Sequence, residues 1–328
     1  MIIQSENFIQ NPLVSVVIVT YNQEQYIRQC IDSILTQDTD FPFEIIIGED
    51  CGTDSTRDIC IEYQQKYPER IKLLLPENNC GVLINWYNCI KESKGKYIAQ
   101  CAGDDFWHNK NKIQIQTSFF EENPDYGIIH SDFDILHTKT GFVEKSVNLK
   151  SNRTIPVGHI MKELYNQYHI VAPTVSFVKQ LFLNNVPYAE FIKRSFQMED
   201  LPTFIIMSKY CKVGYINQST ATYRKGHFSI SVQANIEKVE KFYNSLIEVM
   251  KYIFEIFPQE VEFNYTDLLI YKNKALFSNA FKFGNYKLAK QYGKILYEYG
   301  VRDKKILFCS NYFLFKIFST LKNFRNDN

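Results

Sequence analysis

The chain has 328 residues and no surplus of either charge: 37 Lys and Arg face 36 Asp and Glu, a net charge of +1. A general nucleic-acid binder would carry a basic excess, so no nucleic-acid partner is expected. No stretch of about 18 apolar residues occurs, so no transmembrane helix is expected. The opening MIIQSENFIQNP lacks the basic start and apolar run of a signal peptide. No two of the eight cysteines stand in a C-x-x-C pair, which argues against a zinc or dithiol redox site. Most of them lie in apolar stretches, where a free thiol packs as a small hydrophobe. Together these absences point to a reducing, cytoplasmic setting. With 13 Gly and 10 Pro the chain is neither collagen-like nor low in complexity. What it does have is apolar side chains, 45% of the total, with 26 Phe and 22 Tyr. That is enough for a core without disulfides or a structural metal, and it excludes disorder.

The first 130 residues alternate strand and helix. Leu13 to Val19 is a β-branched run, apolar on both faces, as in a buried parallel strand. Ile27, Cys30, Ile31, Ile34 and Leu35 then form one helical stripe. Asn22 is placed to cap that helix, with Gln25 as its capping-box partner. Phe43–Ile47, Ile71–Leu75 and Tyr97–Cys101 read as further strands. Helices are expected over about 55–67, 81–93 and 110–122. A strand is expected near 127–131, and a hairpin turn at 138–141. Shorter strands are expected at 174–178, 212–216 and 220–224. The order predicts an α/β fold with a mainly parallel sheet flanked by helices. Beyond about Asn235 the pattern is helical and aromatic. A boundary near Ser231 divides the chain into regions 1–230 and 231–328.

Ligands of such sheets bind outside the carboxyl ends of the strands. Three loops matter on that ground. Thr20-Tyr21-Asn22 offers an aromatic face on which a nucleobase can stack, or simply a capped turn. Glu49-Asp50 offers carboxylates for a base N–H or a ribose hydroxyl, while Asp54 reads as a helix cap. Asp104-Asp105, after Gly103, sets two acids side by side, which is costly without a cation. Oxygen-only ligands suit Mg²⁺ or Mn²⁺, which usually takes further ligands from a substrate diphosphate. The alternative is an acidic turn that caps the next helix.

Three segments carry a resemblance: residues 12–22 (PLVSVVIVTYN), 49–56 (EDCGTDST) and 95–105 (GKYIAQCAGDD). In this order and spacing they resemble the family-2 glycosyltransferases, inverting enzymes of GT-A fold that use nucleotide-sugar donors. The match is strong over about residues 12–135, loose over 136–230, and absent from the last hundred. The resemblance implies that Thr20 and Tyr21 flank the donor base, and that Glu49, one methylene longer than the usual Asp, contacts it. It implies Asp105 as direct metal ligand and Asp104 as a contact to ribose or metal. A later acidic pair, Glu199-Asp200, opens a helix that Pro202 suits. By the same resemblance Asp200 is the catalytic base, with Glu199 as alternative or acceptor contact. Arg224, in Tyr223-Arg224-Lys225-Gly226-His227, would neutralise a departing diphosphate, and His227 would ligate the metal.

The implied activity is inverting, metal-assisted transfer from a nucleotide-sugar, UDP being the family's commonest nucleotide, to a glycan or lipid-linked acceptor in surface-polysaccharide assembly. A sugar-nucleotide-forming nucleotidyltransferase is disfavoured, because the loop after the first strand has neither Gly nor Lys. A non-catalytic sugar-nucleotide sensor would keep Asp104-Asp105 without needing Asp200. Residues 304–325 carry five basic residues and no acidic one among aromatics. They read as a packed final helix, a homodimer contact, or a peripheral contact with the inner face of the cell membrane.

Overall fold

The computed structural model describes residues 1–151, 154–226, 235–308, 312, 315 and 316. The chain divides into two units, Met1–His137 with Phe142–Lys225, and Thr138–Gly141 with Gly226–Asn328.

The first unit is built on one sheet. Its strands are β1 (Ile2–Ile3), β2 (Val14–Thr20), β3 (Phe43–Glu49), β4 (Ile71–Leu74), β5 (Tyr97–Ala102), β6 (Phe106–Trp107), β7 (Tyr126–His137), β8 (Val143–Glu144), β9 (Ser176–Val178) and β10 (Lys212–Lys225). They run in the order β1-β4-β3-β2-β5-β9-β7-β10-β6, with β8 paired to β7. The parallel block β4-β3-β2-β5 is the one expected from the apolar runs. Helices Ile27–Leu35, Thr56–Lys66 and Val82–Glu92 connect its strands. Val16, Ile18, Ile31, Ile34, Ile45 and Ile47 are fully buried between sheet and helices. Burial of that kind stabilises by about 1.5–3 kcal/mol per side chain, which is why the β-branched runs dominate the fold.

Beyond β5 the sheet is mixed. β9 is antiparallel to both β5 and β7, whereas β10 runs parallel to β7. The two short strands expected at 212–216 and 220–224 are one strand, since register shifts between Ile216 and Ala221 take up the extra residues while the ladder with β7 continues. Asn22 does not cap a helix. That helix starts at Ile27 with Tyr26 in the cap position, and Asn22 has φ +53 with its side chain bonded across to another loop.

The second unit is helical, with Ile236–Ile256, Tyr265–Lys282, Tyr286–Glu298 and Lys304–Phe308. Asn235, Asn264 and Asn285 cap the first three, each accepting backbone N–H bonds from the first turn. Leu276, Phe277, Phe281, Ala289 and Leu296 form its core. Most of 304–325, His227, and the 230/231 division lie outside the described residues. No helix among the described residues is long and apolar enough to cross a membrane.

One buried cation stands out. Lys112 is fully buried, with Nζ 4.3 Å from the Trp107 ring centroid and 2.7 Å from Gln116 Oε1. Burial drives its pKa down to about 7. A lysine whose folded pKa lies below its unfolded one weakens the fold most at low pH, and ceases to do so above the unfolded value of about 10.4. Lys112→Met is therefore expected to raise Tm, by at least about 2 °C. The gain should be larger at pH 7 than at pH 9.5 in paired thermal melts. A lower Tm, or a pH-independent gain, would show that the cation stabilises through the Trp107 face instead.

Candidate active site

Three loop tips meet at the carboxyl ends of β2, β3 and β5. Thr20 pairs with Glu49 across the parallel ladder. Asp50 N–H donates to the Thr20 carbonyl at 3.0 Å, and Gly103 N–H donates to the Val19 carbonyl at 3.0 Å. The turn carrying the acids presses directly on β2. A Cβ on Gly103 would stand 2.6 Å from Thr20 Oγ1 and 2.5 Å from Gln23 Oε1, so only glycine fits.

The residues on these tips divide into builders and presenters. Glu49 is fully buried, and both its carboxylate oxygens are engaged. Oε1 accepts from Gly52 N at 2.6 Å, and Oε2 accepts from Arg57 Nε at 2.5 Å. Asp50 accepts from Cys80 N at 2.8 Å and from Gly81 N at 2.9 Å, which clamps its loop to the turn before the helix at Val82. Asn22 Oδ1 accepts from Thr53 N at 2.7 Å. The Thr20 hydroxyl, 3% exposed, donates to Gln23 Oε1 at 2.7 Å. The Glu49, Asp50, Asn22 and Thr20 side chains thus hold the loops together instead of offering free groups. The Tyr21 ring, 45% exposed, faces solvent.

Asp105 is buried, and its Oδ1 accepts a 2.8 Å bond from the backbone N–H of Arg224 at the far end of β10. Asp104 is the more exposed of the two. Burial first, then the charge of Asp104, push the Asp105 carboxyl well above its ordinary range, against the Arg224 N–H and guanidinium. The guanidinium itself is not presented as the sequence suggested. It lies 5.0 Å from the Tyr26 ring centroid and 4.8 Å from that of Phe106, with Nη2 2.5 Å from Gln29 Oε1. It is 4% exposed, its Nε has no partner among the described residues, and aromatic faces in place of a carboxylate hold the charge. Among the described residues no three His, Cys, Asp or Glu side chains cluster to enclose a metal ion.

The second acidic pair opens the helix Asp200–Met207, with Glu199 in the cap position and Leu201 N donating to Asp200 Oδ1 at 2.7 Å. A helix N-terminus favours the anions, yet burial outweighs it. Burial and then Asp200 raise Glu199 to about 8, and burial raises Asp200 as well. The Tyr168 hydroxyl, buried and without a hydrogen bond of ordinary length among the described residues, has its ionisation opposed by burial and by both acids.

The two pairs share one neighbour. Tyr223 has its pKa pushed up to about 12 by burial, then by the charges of Asp105, Asp104 and Asp200. The Asp104-Asp105 turn and Asp200 thus both act electrostatically on one side chain, although nearly a hundred residues separate them. Arg57, Gln29 and Tyr168 carried no sequence signal, since each acquires its meaning from a partner in another element. Tyr223 stood inside a motif quoted for Arg224.

A family model described as "Glycosyl transferase family 2" matches residues 15–183. The chain belongs to this family. Putative teichuronic acid biosynthesis glycosyltransferase TuaG of Bacillus subtilis is 38% identical over 111 residues, 34% of this chain and 43% of that one. The matched stretch spans about a third of the length of the other curated relatives of comparable similarity. TarS 1–349 of S. aureus, solved with UDP-GlcNAc, superposes with a TM-score of 0.51 at 16% identity over 86% of this chain and 81% of that one. Mannosyltransferase PcManGT of Pyrobaculum calidifontis, solved with GDP-Man and Mn²⁺, gives 0.52 at 13% identity over 96% and 85%. At these identities the two structures establish the GT-A fold of the family-2 domain. Both expectations, the family and the fold, hold.

Glu49→Ala would leave the Gly52 N–H and the Arg57 Nε without their acceptor. It is expected to destabilise the chain by about 1–3 kcal/mol, read by chemical denaturation. Glu49→Asp should recover only part of that, because the shorter side chain cannot reach both donors.

Proposed function

We propose that this family-2 protein is an inverting glycosyltransferase that moves a sugar from a nucleotide-sugar, a UDP-sugar first, to an acceptor hydroxyl. The supporting observation is that the loop tips of β2, β3 and β5 meet at the carboxyl edge of the sheet, with the Asp104-Asp105 turn held against Thr20 and Arg224; Asp105, Asp104 and Asp200 all act on Tyr223. An acid pair forced together in poor solvation suits a cation. Asp104 and Asp105, with Asp105 already disfavoured as a bare anion, are the residues that would hold Mn²⁺ or Mg²⁺. When bound, such an ion supplies Lewis-acid stabilisation of the departing diphosphate. Tyr21 is available to stack on the donor base.

Asp200 is assigned as the base. It takes the proton of the acceptor hydroxyl as that oxygen bonds to the anomeric carbon. The bond from that carbon to the nucleoside diphosphate breaks on the opposite face, so one displacement inverts the configuration. Burial and the charge of Asp200 raise Glu199 to about 8, so Glu199 stays protonated beside the base at neutral pH. A glycan or lipid-linked acceptor of the bacterial surface is in keeping with relatives such as TuaG and the minor teichoic acid biosynthesis protein GgaB.

Asp200→Asn should retain donor binding and lose turnover by roughly 10² or more. Asp105→Ala should lose the Mn²⁺-dependent part of donor binding in calorimetry. Full transfer by both variants would refute the assignment. The pair also sets a pH dependence. A base with a raised pKa loses activity as pH falls through that raised value. The acid limb of kcat/KM should thus lie above the ordinary carboxylate range. Glu199→Gln should leave that limb nearly in place, since burial is what raises Asp200; a limb that moves to lower pH would show that the charge of Glu199 raises it instead.

A further inference from the structure

We propose that Tyr223 reads the transferred sugar: from the strand that holds Asp105, its hydroxyl donates a hydrogen bond to a hydroxyl of the sugar on the bound donor. The inference rests on the reading of the site as a nucleotide-sugar transferase. Tyr223 lies on β10 between two residues whose side chains turn to the sheet's other face. Thr222 Oγ1 is 2.9 Å from His108 Nδ1, and Arg224 packs between Tyr26 and Phe106. Strand alternation sends Tyr223 the opposite way, toward the face of the Asp200 helix. Its position along the strand is pinned on both sides. Thr222 pairs with Phe106 in the antiparallel ladder, and the Arg224 N–H holds Asp105. No register freedom is left to move the ring.

The neighbouring tyrosines differ from it. Tyr168 and Tyr188 feel only the Glu199-Asp200 pair, and the Tyr188 hydroxyl is already bonded to the Leu83 carbonyl. Tyr21 stands on the β2 tip, at the base end. No hydrogen bond of the Tyr223 hydroxyl occurs among the described residues, and a phenol with an ordinary pKa of about 10 is protonated at neutral pH. A diphosphate at one pair and an acceptor hydroxyl at the other leave the sugar between them. A neutral donor there recognises a sugar hydroxyl without adding charge, and a hydroxyl-reading contact discriminates sugars more sharply than an apolar wall.

The test compares Tyr223→Phe with wild type. A thermal-shift panel of UDP-, GDP- and dTDP-sugars with Mn²⁺ first picks the nucleotide-sugar that stabilises wild type most. Calorimetry then measures that nucleotide-sugar and its own nucleoside diphosphate against both proteins. The expected result is an affinity about tenfold weaker for the nucleotide-sugar with the diphosphate affinity unchanged, which also certifies the fold. Equal loss for both ligands, or no loss for either, overturns the inference while leaving the functional reading in place. If wild type binds neither nucleotide-sugars nor nucleoside diphosphates, the functional reading itself fails.

Discussion

The bond from the Arg224 backbone N–H to the Asp105 carboxylate, 2.8 Å long, joins residues 119 apart and organises the site. It ends the antiparallel ladder between β6 and β10, fixes one member of the acidic turn, and sets the register of Tyr223. A backbone donor holds one carboxylate oxygen without adding a full charge, so the pair stays short of positive charge. A lysine or arginine paired at the same point would neutralise Asp105. The Arg224 guanidinium, turned away between two aromatic rings, obeys the same logic.

The site spends its acids in two ways. Glu49 and Asp50 are saturated by donors from Gly52, Arg57, Cys80 and Gly81, and they act as rivets between loops. In the second group, Asp104, Asp105, Glu199 and Asp200, burial raises the pKa of the last three, and the neighbouring acid adds to it at Asp105 and Glu199. Rigid loops and strained charges belong together here. Without the rivets, the crowded carboxylates would relax apart into water.

The parallel block, the helical stripe at 27–35 and the edge on which the loops lie were legible because hydrophobic periodicity and chain direction are local properties. The long apolar runs at β2 and β3 leave few other folds. The helix start was misread because Asn22 has two competing uses, capping or cross-loop bonding, and only the Thr53 N–H, 31 residues on, selects between them. Likewise the strand over 212–225 looked like two, since Asn217-Gln218 reads as a turn unless β7 is there to carry a bulge.

By itself the sequence determined the order of strands and loops, the family, and the identity of the acidic residues at the strand ends, because each follows from composition over a short window. The tertiary structure alone decided which of those acids are saturated by donors. Their partners come from Arg57, Cys80 and Arg224, on other segments of the chain, and a carboxylate's role depends on how many donors reach it and how much water is left around it. No window of sequence contains that count.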